Sequence, residues 1–293
     1  MCLIVCAFQP AASFPLVLAA NRDEFYTRPT RPAKFWDEAP ETAHILAGKD
    51  LLQGGTWLGI TRDGRFAAVT NYRDPVLTEA RERSRGALVR DYLQGALSPR
   101  DYVRGLRQTL PDFAGFNLLV GDRSTLYYCH NIPGQGADAQ RPETVNGAGS
   151  GRELSPGIYA ISNGLLDAPW PKVVKGRENL RRYLENSGGP VTDGLLKLMT
   201  DRDAATDAEL PQTGVGLELE RVLSAVFIHN PPRGYGTRSS TALIMDNAGL
   251  VRLSEQNYDA TGQATDRNHF EFKLTSWNHE VRDERSRRST PAL

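Results

Sequence analysis

The feature that most constrains this chain is the shortness of its apolar runs. Turn signals separate nearly all of them, so strands outnumber helices. Candidate strands are Leu3–Phe8, Leu16–Ala20, His44–Ala47, Trp57–Thr61, Phe66–Asn71, Phe116–Val120, Thr125–His130, Ile158–Ser162, Thr241–Asp246, Val251–Glu255 and Phe270–Leu274. Asp63-Gly64 and Asn247-Ala248-Gly249 read as hairpin turns. Helical periodicity is confined to two blocks, roughly 84–110 and 171–226. The first holds Ser84–Gln94 and a helix capped by Ser98 with Pro99 behind it. The second holds Pro171–Glu185, Thr192–Met199 with Thr192 as cap, and Glu218–Val226. This is not a repeating βαβ order, so antiparallel sheets covered by helices, an α+β chain, are expected.

At 293 residues the chain can bury a full core. It carries 35 basic and 35 acidic side chains, so a broad electrostatic grip on nucleic acid is excluded and no nucleic-acid partner is expected. Arginine dominates the basic set, and the arginines are spread along the chain. No apolar run approaches the roughly 18 residues of a membrane span, so no integral membrane segment is expected. Three cysteines do not make a disulfide framework. With no secretory leader pattern at the amino end, a cytoplasmic location is expected. Residues 1–279 read as one domain, and 280–293, polar and charged, as a solvated tail. Pro133–Ser155 is Gly-, Pro- and Ala-rich and reads as a surface loop.

Several chemistries leave no mark. There is no phosphate loop, no zinc spacing, no haem-attachment motif and no Gly-x-Ser-x-Gly elbow. The histidines at 44, 130, 229, 269 and 279 are scattered and read as structural. No cofactor or metal is therefore expected.

Cys2 is the residue with chemical promise. When an initiator Met is removed, Cys2 carries both a thiol and a free α-amine with a pKa of about 7.7–8.0. Such an amine can act as general base to its own thiol. By itself, Cys2 reads more simply as a small residue opening a strand. A hairpin connection over Gln9–Pro15, centred on Ala12, would bring residue 2 opposite residue 22. There Asn21-Arg22-Asp23-Glu24 follows the apolar run Leu16–Ala20, at what reads as a strand end. A guanidinium beside a thiol favours thiolate. Further polar clusters flank other strands: Thr70-Asn71-Tyr72-Arg73, Ser162-Asn163-Gly164 and Gly236-Thr237-Arg238-Ser239-Ser240-Thr241. Asn side chains are good oxyanion donors. Cys6 and Cys129 are assigned to the core; Trp57 and Trp170 read as core residues first and as walls of a ligand cleft second.

These segments resemble the NRDE family, also called the transport and Golgi organization protein 2 family. The resemblance rests on Met1-Cys2-Leu3-Ile4, Asn21-Arg22-Asp23-Glu24, Gly54-Gly55-Thr56-Trp57-Leu58-Gly59, Thr70-Asn71-Tyr72-Arg73, Ser162-Asn163-Gly164 through Lys172, and Gly236 to Thr241, in order. That family is similar in turn to N-terminal-nucleophile hydrolases of the choloylglycine hydrolase and penicillin V acylase type. The resemblance implies their four-layer αββα sandwich. It also implies a catalytic set of Cys2 as nucleophile, Arg22, Asp23, Asn71 in the oxyanion hole, Asn163 and Arg238. One departure stands out: Arg22 and Asp23 are adjacent, whereas those hydrolases separate the pair. Adjacent strand residues point to opposite faces, so both reach Cys2 only where the strand ends or bulges.

Two functions follow from the resemblance. One is an amide or ester hydrolase acting on a small acylated molecule. The other is a non-catalytic binding or trafficking protein for haem or for acyl-CoA or lipid, with Arg22 and Arg238 clamping an anionic group between apolar walls. The expected partner in either case is a small molecule, an acyl compound or haem.

Overall fold

Alternation along the first strand decides the layers. Leu3, Val5 and Ala7 are buried on one face and Ile4, Cys6 and Phe8 on the other. A strand buried on both faces belongs to a sheet covered on both sides. The computed structural model describes residues 2–9, 12–74, 77, 81–133 and 150–275. Met1, His279, the expected tail at 280–293 and most of the expected Pro133–Ser155 loop lie outside the described residues.

In chain order the elements begin with β1 (Cys2–Phe8), β2 (Leu16–Phe25), β3 (Thr30–Phe35), β4 (Ile45–Asp50), β5 (Leu58–Thr61) and β6 (Phe66–Asn71). The helices α1 (Arg85–Gln94) and α2 (Pro99–Gly105) follow, then β7 (Phe116–Gly121), β8 (Leu126–His130), β9 (Ser150–Glu153) and β10 (Gly157–Ile161). The second helical block is α3 (Pro171–Asn186), α4 (Thr192–Leu198) and α5 (Leu217–Ser224). The chain closes with β11 (His229–Asn230), β12 (Tyr235–Met245), β13 (Leu250–Tyr258) and β14 (Ala264–Lys273).

Two antiparallel sheets result. The first has the order β10-β1-β2-β12-β13-β14, with β11 paired to β12; the second runs β3 through β9 in sequence. Phe8, Leu18, Leu46, Ile60, Phe66 and Leu243 fill the space between them. Each such side chain contributes about 1.5–3 kcal/mol on full burial. Outside the second sheet, Leu88 and Tyr92 of α1 and Val103 of α2 pack on Ile45, Val69 and Leu118. Outside the first, Val173 and Leu180 of α3 and Leu195 of α4 pack on Leu3, Val5 and Val17. The expected αββα four-layer sandwich is the architecture observed.

Local signals explain the elements, with some corrections. Ser84 caps α1 by accepting the Gly86 N–H, and Ser98 caps α2 by accepting the Asp101 N–H with Pro99 behind it. Thr192 is not the cap of α4: Val191 takes that position without a side-chain hydrogen bond, and Thr192 is buried in the first turn. Three strands escape apolar patterning, β3, β9 and β11. The first two are the edges of the second sheet and the third is a two-residue pairing. An edge strand needs neither a doubly buried face nor every backbone N–H, which is why Pro32 is tolerated in β3. Gly64 and Gly249 hold positive φ (89° and 78°) at the two expected hairpin turns.

Candidate active site

Register places the first residues of the site. In the β1–β2 pair Cys2 lies opposite Arg22, as the hairpin reading expected. The strand does not end at Ala20, however. β2 continues to Phe25, paired to β1 on one side and to β12 on the other. Asn21, Arg22 and Asp23 are therefore buried strand residues, 1%, 5% and 1% exposed, rather than a solvated end.

Alternation gives the polar residues separate tasks. Asn21 points to the helical layer, donating to the carbonyls of Met199 (2.8 Å) and Val226 (2.9 Å) and accepting from the Ser240 hydroxyl (2.6 Å). Arg22 points the other way, its guanidinium 4.2 Å from the centre of the Trp57 ring. Asp23 returns to the helical side, where Oδ1 accepts from the Thr237 hydroxyl at 2.7 Å and its carbonyl accepts from Tyr235 at 3.0 Å. No bulge in β2 reconciles Arg22 with Asp23. The bulge lies across the ladder in β12, where Arg238 is the extra residue between Thr237, opposite Asp23, and Ser239, opposite Arg22.

Arg22 and Cys2 share a cleft of about 280 Å³ with Asp23, Glu24, Trp57, Asn71 and the segment Ser84-Arg85-Gly86. Its walls come from two motifs. In Gly54-Gly55-Thr56-Trp57, Gly54 takes φ 69° and Gly55 abuts α1 so closely that an added Cβ would lie 2.5 Å from the Gly86 carbonyl carbon. This contact brings the start of α1 to the cleft and presents Trp57 to Arg22. The second wall is a seam between the sheets. Ser162 Oγ donates to the Cys2 carbonyl (2.8 Å) and Asn163 Nδ2 to the Asn71 carbonyl (2.8 Å). The Arg73 N–H closes back on the Asn163 carbonyl at 2.7 Å.

Of the six predicted site residues, Cys2, Arg22 and Asn71 line the cleft, and Asp23 borders it while its carboxyl turns to the helical side. Asn163 and Arg238 do neither. Asn163 is spent on holding Asn71, and Arg238 Nη1 donates to the carbonyls of Phe25 (2.9 Å) and Arg28 (3.2 Å), tying down the end of β2. Trp57 meets both of its readings: it lines the cleft and packs against the core between the sheets. Cys6 and Cys129 are core residues as expected. The lining is otherwise largely polar, with Trp57, Val69 and Ala114 as its main apolar surfaces.

Sequence reasoning missed a buried charge cluster behind the sheet. Lys172, in the first turn of α3, is 2% exposed, and its Nζ has no hydrogen-bond partner among the described residues. Burial pulls its pKa down to about 8, and Asp23 is the foremost charge opposing that fall. Burial likewise pushes the Asp23 carboxyl up, countered by Lys172 and the amino-terminal charge. Beside them Arg73 and Glu220 form an ion pair at 2.6 Å, with Arg73 lying over Trp170 at 4.8 Å. The Pro171-Lys172 pair opening a predicted helix was the available signal. At the cleft, burial raises the Cys2 thiol pKa, while the amino-terminal charge, the Asp23 backbone amide and Arg22 pull it down. Among the described residues no cluster of side chains could hold a metal ion, and no helix is long and apolar enough to cross a membrane.

The Transport and Golgi organisation 2 sequence profile matches residues 1–260. This chain belongs to that family. The human transport and Golgi organization protein 2 homolog is 34% identical over 277 residues, covering 88% of this chain and 93% of the human protein. The mouse homolog is 32% identical over 297 residues, covering 94% of this chain and 100% of its own. In this member of the Transport and Golgi organisation 2 family, the segment 21–24 is the strand that divides cleft from charge cluster. Similar solved structures include a Caenorhabditis elegans N-acylethanolamine-hydrolyzing acid amidase ortholog (TM-score 0.46, 10% identity, 83% of this chain and 92% of that one). Another is a conjugated bile acid hydrolase from Clostridium perfringens (TM-score 0.44, 8% identity, 96% and 100%).

Proposed function

We propose that this chain is a cysteine hydrolase of amide or ester bonds in small acyl compounds, with Cys2 as an N-terminal nucleophile once Met1 is removed. The observation that carries the reading is the β1–β2 register. It sets Cys2 beside Arg22 in a cleft that Asn71 shares, and it turns Asp23 to the sealed side. The Cys2 α-amine takes the thiol proton as Sγ adds to the substrate carbonyl. The carbonyl π pair moves to oxygen, where the Asn71 amide can donate to it. Collapse of the adduct expels the amine or alcohol, which leaves with the proton held by the α-amine. Water then attacks the thioester, releasing the acid and restoring the thiol. Asp23 holds the α-amine in place; Lys172, near enough to Asp23 to be felt by it, helps keep that carboxylate ionised. Asn163 and Arg238 act through the strand ends they fix.

The polar lining favours this reading over a carrier with apolar walls for haem, acyl-CoA or lipid. All three cysteines are free, which suits a reducing compartment such as the cytoplasm. The test is a panel of p-nitrophenyl esters and N-acyl amino acids, assayed with the Met1-processed protein and with Cys2→Ala and Cys2→Ser. Turnover that disappears in Cys2→Ala supports the reading. Turnover that survives Cys2→Ala overturns it, as does ligand binding without turnover by processed protein across the panel.

A further inference from the structure

The charges around the cleft do not balance. Arg28 is satisfied by Asp50 at 2.5 Å and lies 3.8 Å from Glu24, the one further carboxylate on the cleft side, whose charge also reaches Arg22 and Arg85 without a hydrogen bond to either among the described residues. Arg83 is paired with Asp91 on α1 at 3.4 Å. Three guanidiniums remain, Arg22, Arg81 and Arg85, and of these Arg81 is exposed to solvent. Arg22 is 5% exposed, yet its Nη1 has no hydrogen-bond partner among the described residues. A buried, unmatched guanidinium nitrogen is costly and marks a place for an acceptor. Arg85 lines the same cleft and has no carboxylate partner among the described residues; its Nη1 touches only the Gly115 carbonyl, at 3.3 Å. Arg85 is also the first residue of α1, a helix of 10 residues whose amino end, Ser84-Arg85-Gly86, forms part of the lining. Such an end carries roughly half a positive charge. The Ser84 hydroxyl is taken by the Gly86 N–H, so it supplies no negative counterweight.

We propose that the cleft beside Cys2 contains an anion subsite, formed by the Arg22 and Arg85 guanidiniums and the amino end of α1, for a carboxylate or phosphate on the substrate. This deepens, and rests on, the reading of Cys2 as nucleophile. Because Arg22 is the cross-strand neighbour of Cys2, the anionic group is carried within a few bonds of the scissile carbonyl. The cleft, about 280 Å³, sits at the small end of ligand sites, so the substrate class is a compact acyl compound with an anionic head. Forked guanidiniums suit both oxyanions.

The experiment uses three alkylating probes of matched length on the Met1-processed protein. N-bromoacetyl-β-alanine carries a carboxylate, N-bromoacetyl-ethanolamine phosphate a phosphate, and N-bromoacetyl-ethanolamine no charge. In each case Cys2 sulfur displaces bromide and forms one S–C bond, mapped by peptide mass. The expected result is saturable labelling by at least one anionic probe, about tenfold or more faster than by the neutral one. Free inorganic phosphate or acetate should slow it. In Arg85→Gln the anionic-to-neutral ratio should collapse toward one, and Arg85→Lys should fall between. Whichever anionic arm leads identifies the head group. Equal, unsaturable rates for the three probes, with no effect of Arg85→Gln, would overturn the subsite. Failure of every probe to label Cys2 counts instead against the nucleophile. The subsite is then read on Cys2→Ala by calorimetry with inorganic phosphate and with acetate: anion binding that Arg85→Gln removes sustains it, and no binding overturns it.

Discussion

On one side of β2 the Arg22 guanidinium lies over Trp57 and borders an open, polar cleft. On the other, one residue along, the Asp23 carboxyl is sealed under the helices with Lys172, Arg73 and Glu220. The two sides use charge differently. The cleft leaves cationic groups unanswered, where a ligand can answer them. The sealed side sets acid against base in a nearly closed set, where an unanswered charge costs several kcal/mol. The Cys2 thiol feels both sides: Arg22 and the Asp23 backbone amide favour its thiolate, while the Asp23 charge opposes it.

The largest expected effect comes from Asp23→Asn. Loss of the anchor for the α-amine should lower turnover by about 10²–10⁴-fold, the usual share of general base catalysis. Arg22→Gln should lower it less and shift the acidic limb of its pH profile upward, because Arg22 favours the thiolate. Equal losses with identical profiles would break the division of labour. Next is Arg73→Ala, which strands Glu220 in the sealed cluster. Chemical denaturation should show a loss of about 3–5 kcal/mol.

The two faces should also titrate in opposite senses. On the inter-sheet face, Glu255 accepts from the Ala33 N–H at 2.7 Å, and burial raises its pKa from 4.5 to about 7. The folded state then holds its proton more tightly than the unfolded state, so stability falls as pH rises from about 4.5 to 7. Lys172, lowered from 10.5 to about 8, is released of its proton earlier in the folded state, so its contribution makes stability rise from about pH 8 to 10.5. Each slope amounts to about 3 kcal/mol at full shift. Glu255→Gln should flatten only the acidic slope and Lys172→Met only the alkaline one. The smallest effect is expected for Gly55→Ala, where the added Cβ meets the Gly86 backbone. An overpacking cost of about 1–3 kcal/mol should accompany a displaced α1 and a weaker Cys2 alkylation by anionic probes.

Much of this was legible before the fold. The β1–β2 register could be read because the Leu3–Phe8 and Leu16–Ala20 runs flank one connection, and folding back about Ala12 puts residue 2 roughly opposite residue 22. The interior strands were found because both of their faces are apolar; β3 and β9 were missed because edges carry Thr, Arg, Lys and Gly. The cleft lining was legible at Cys2, Arg22 and Asn71. It was not legible at Lys172, whose burial is created by α3 folding over β1, far away in sequence. Nor could the position of the bulge be read. It sits in β12, which meets β2 only in the finished sheet.

The most direct measurement is the mass of the N-terminal peptide after the purified protein, made in a cell that removes initiator methionine, is challenged with p-nitrophenyl acetate and quenched in acid. Met1 should be absent, and one hydroxylamine-labile acetyl group should sit on Cys2 and be lost in Asp23→Asn. Retention of Met1, or ester turnover undiminished in Cys2→Ala, would contradict Cys2 as the nucleophile.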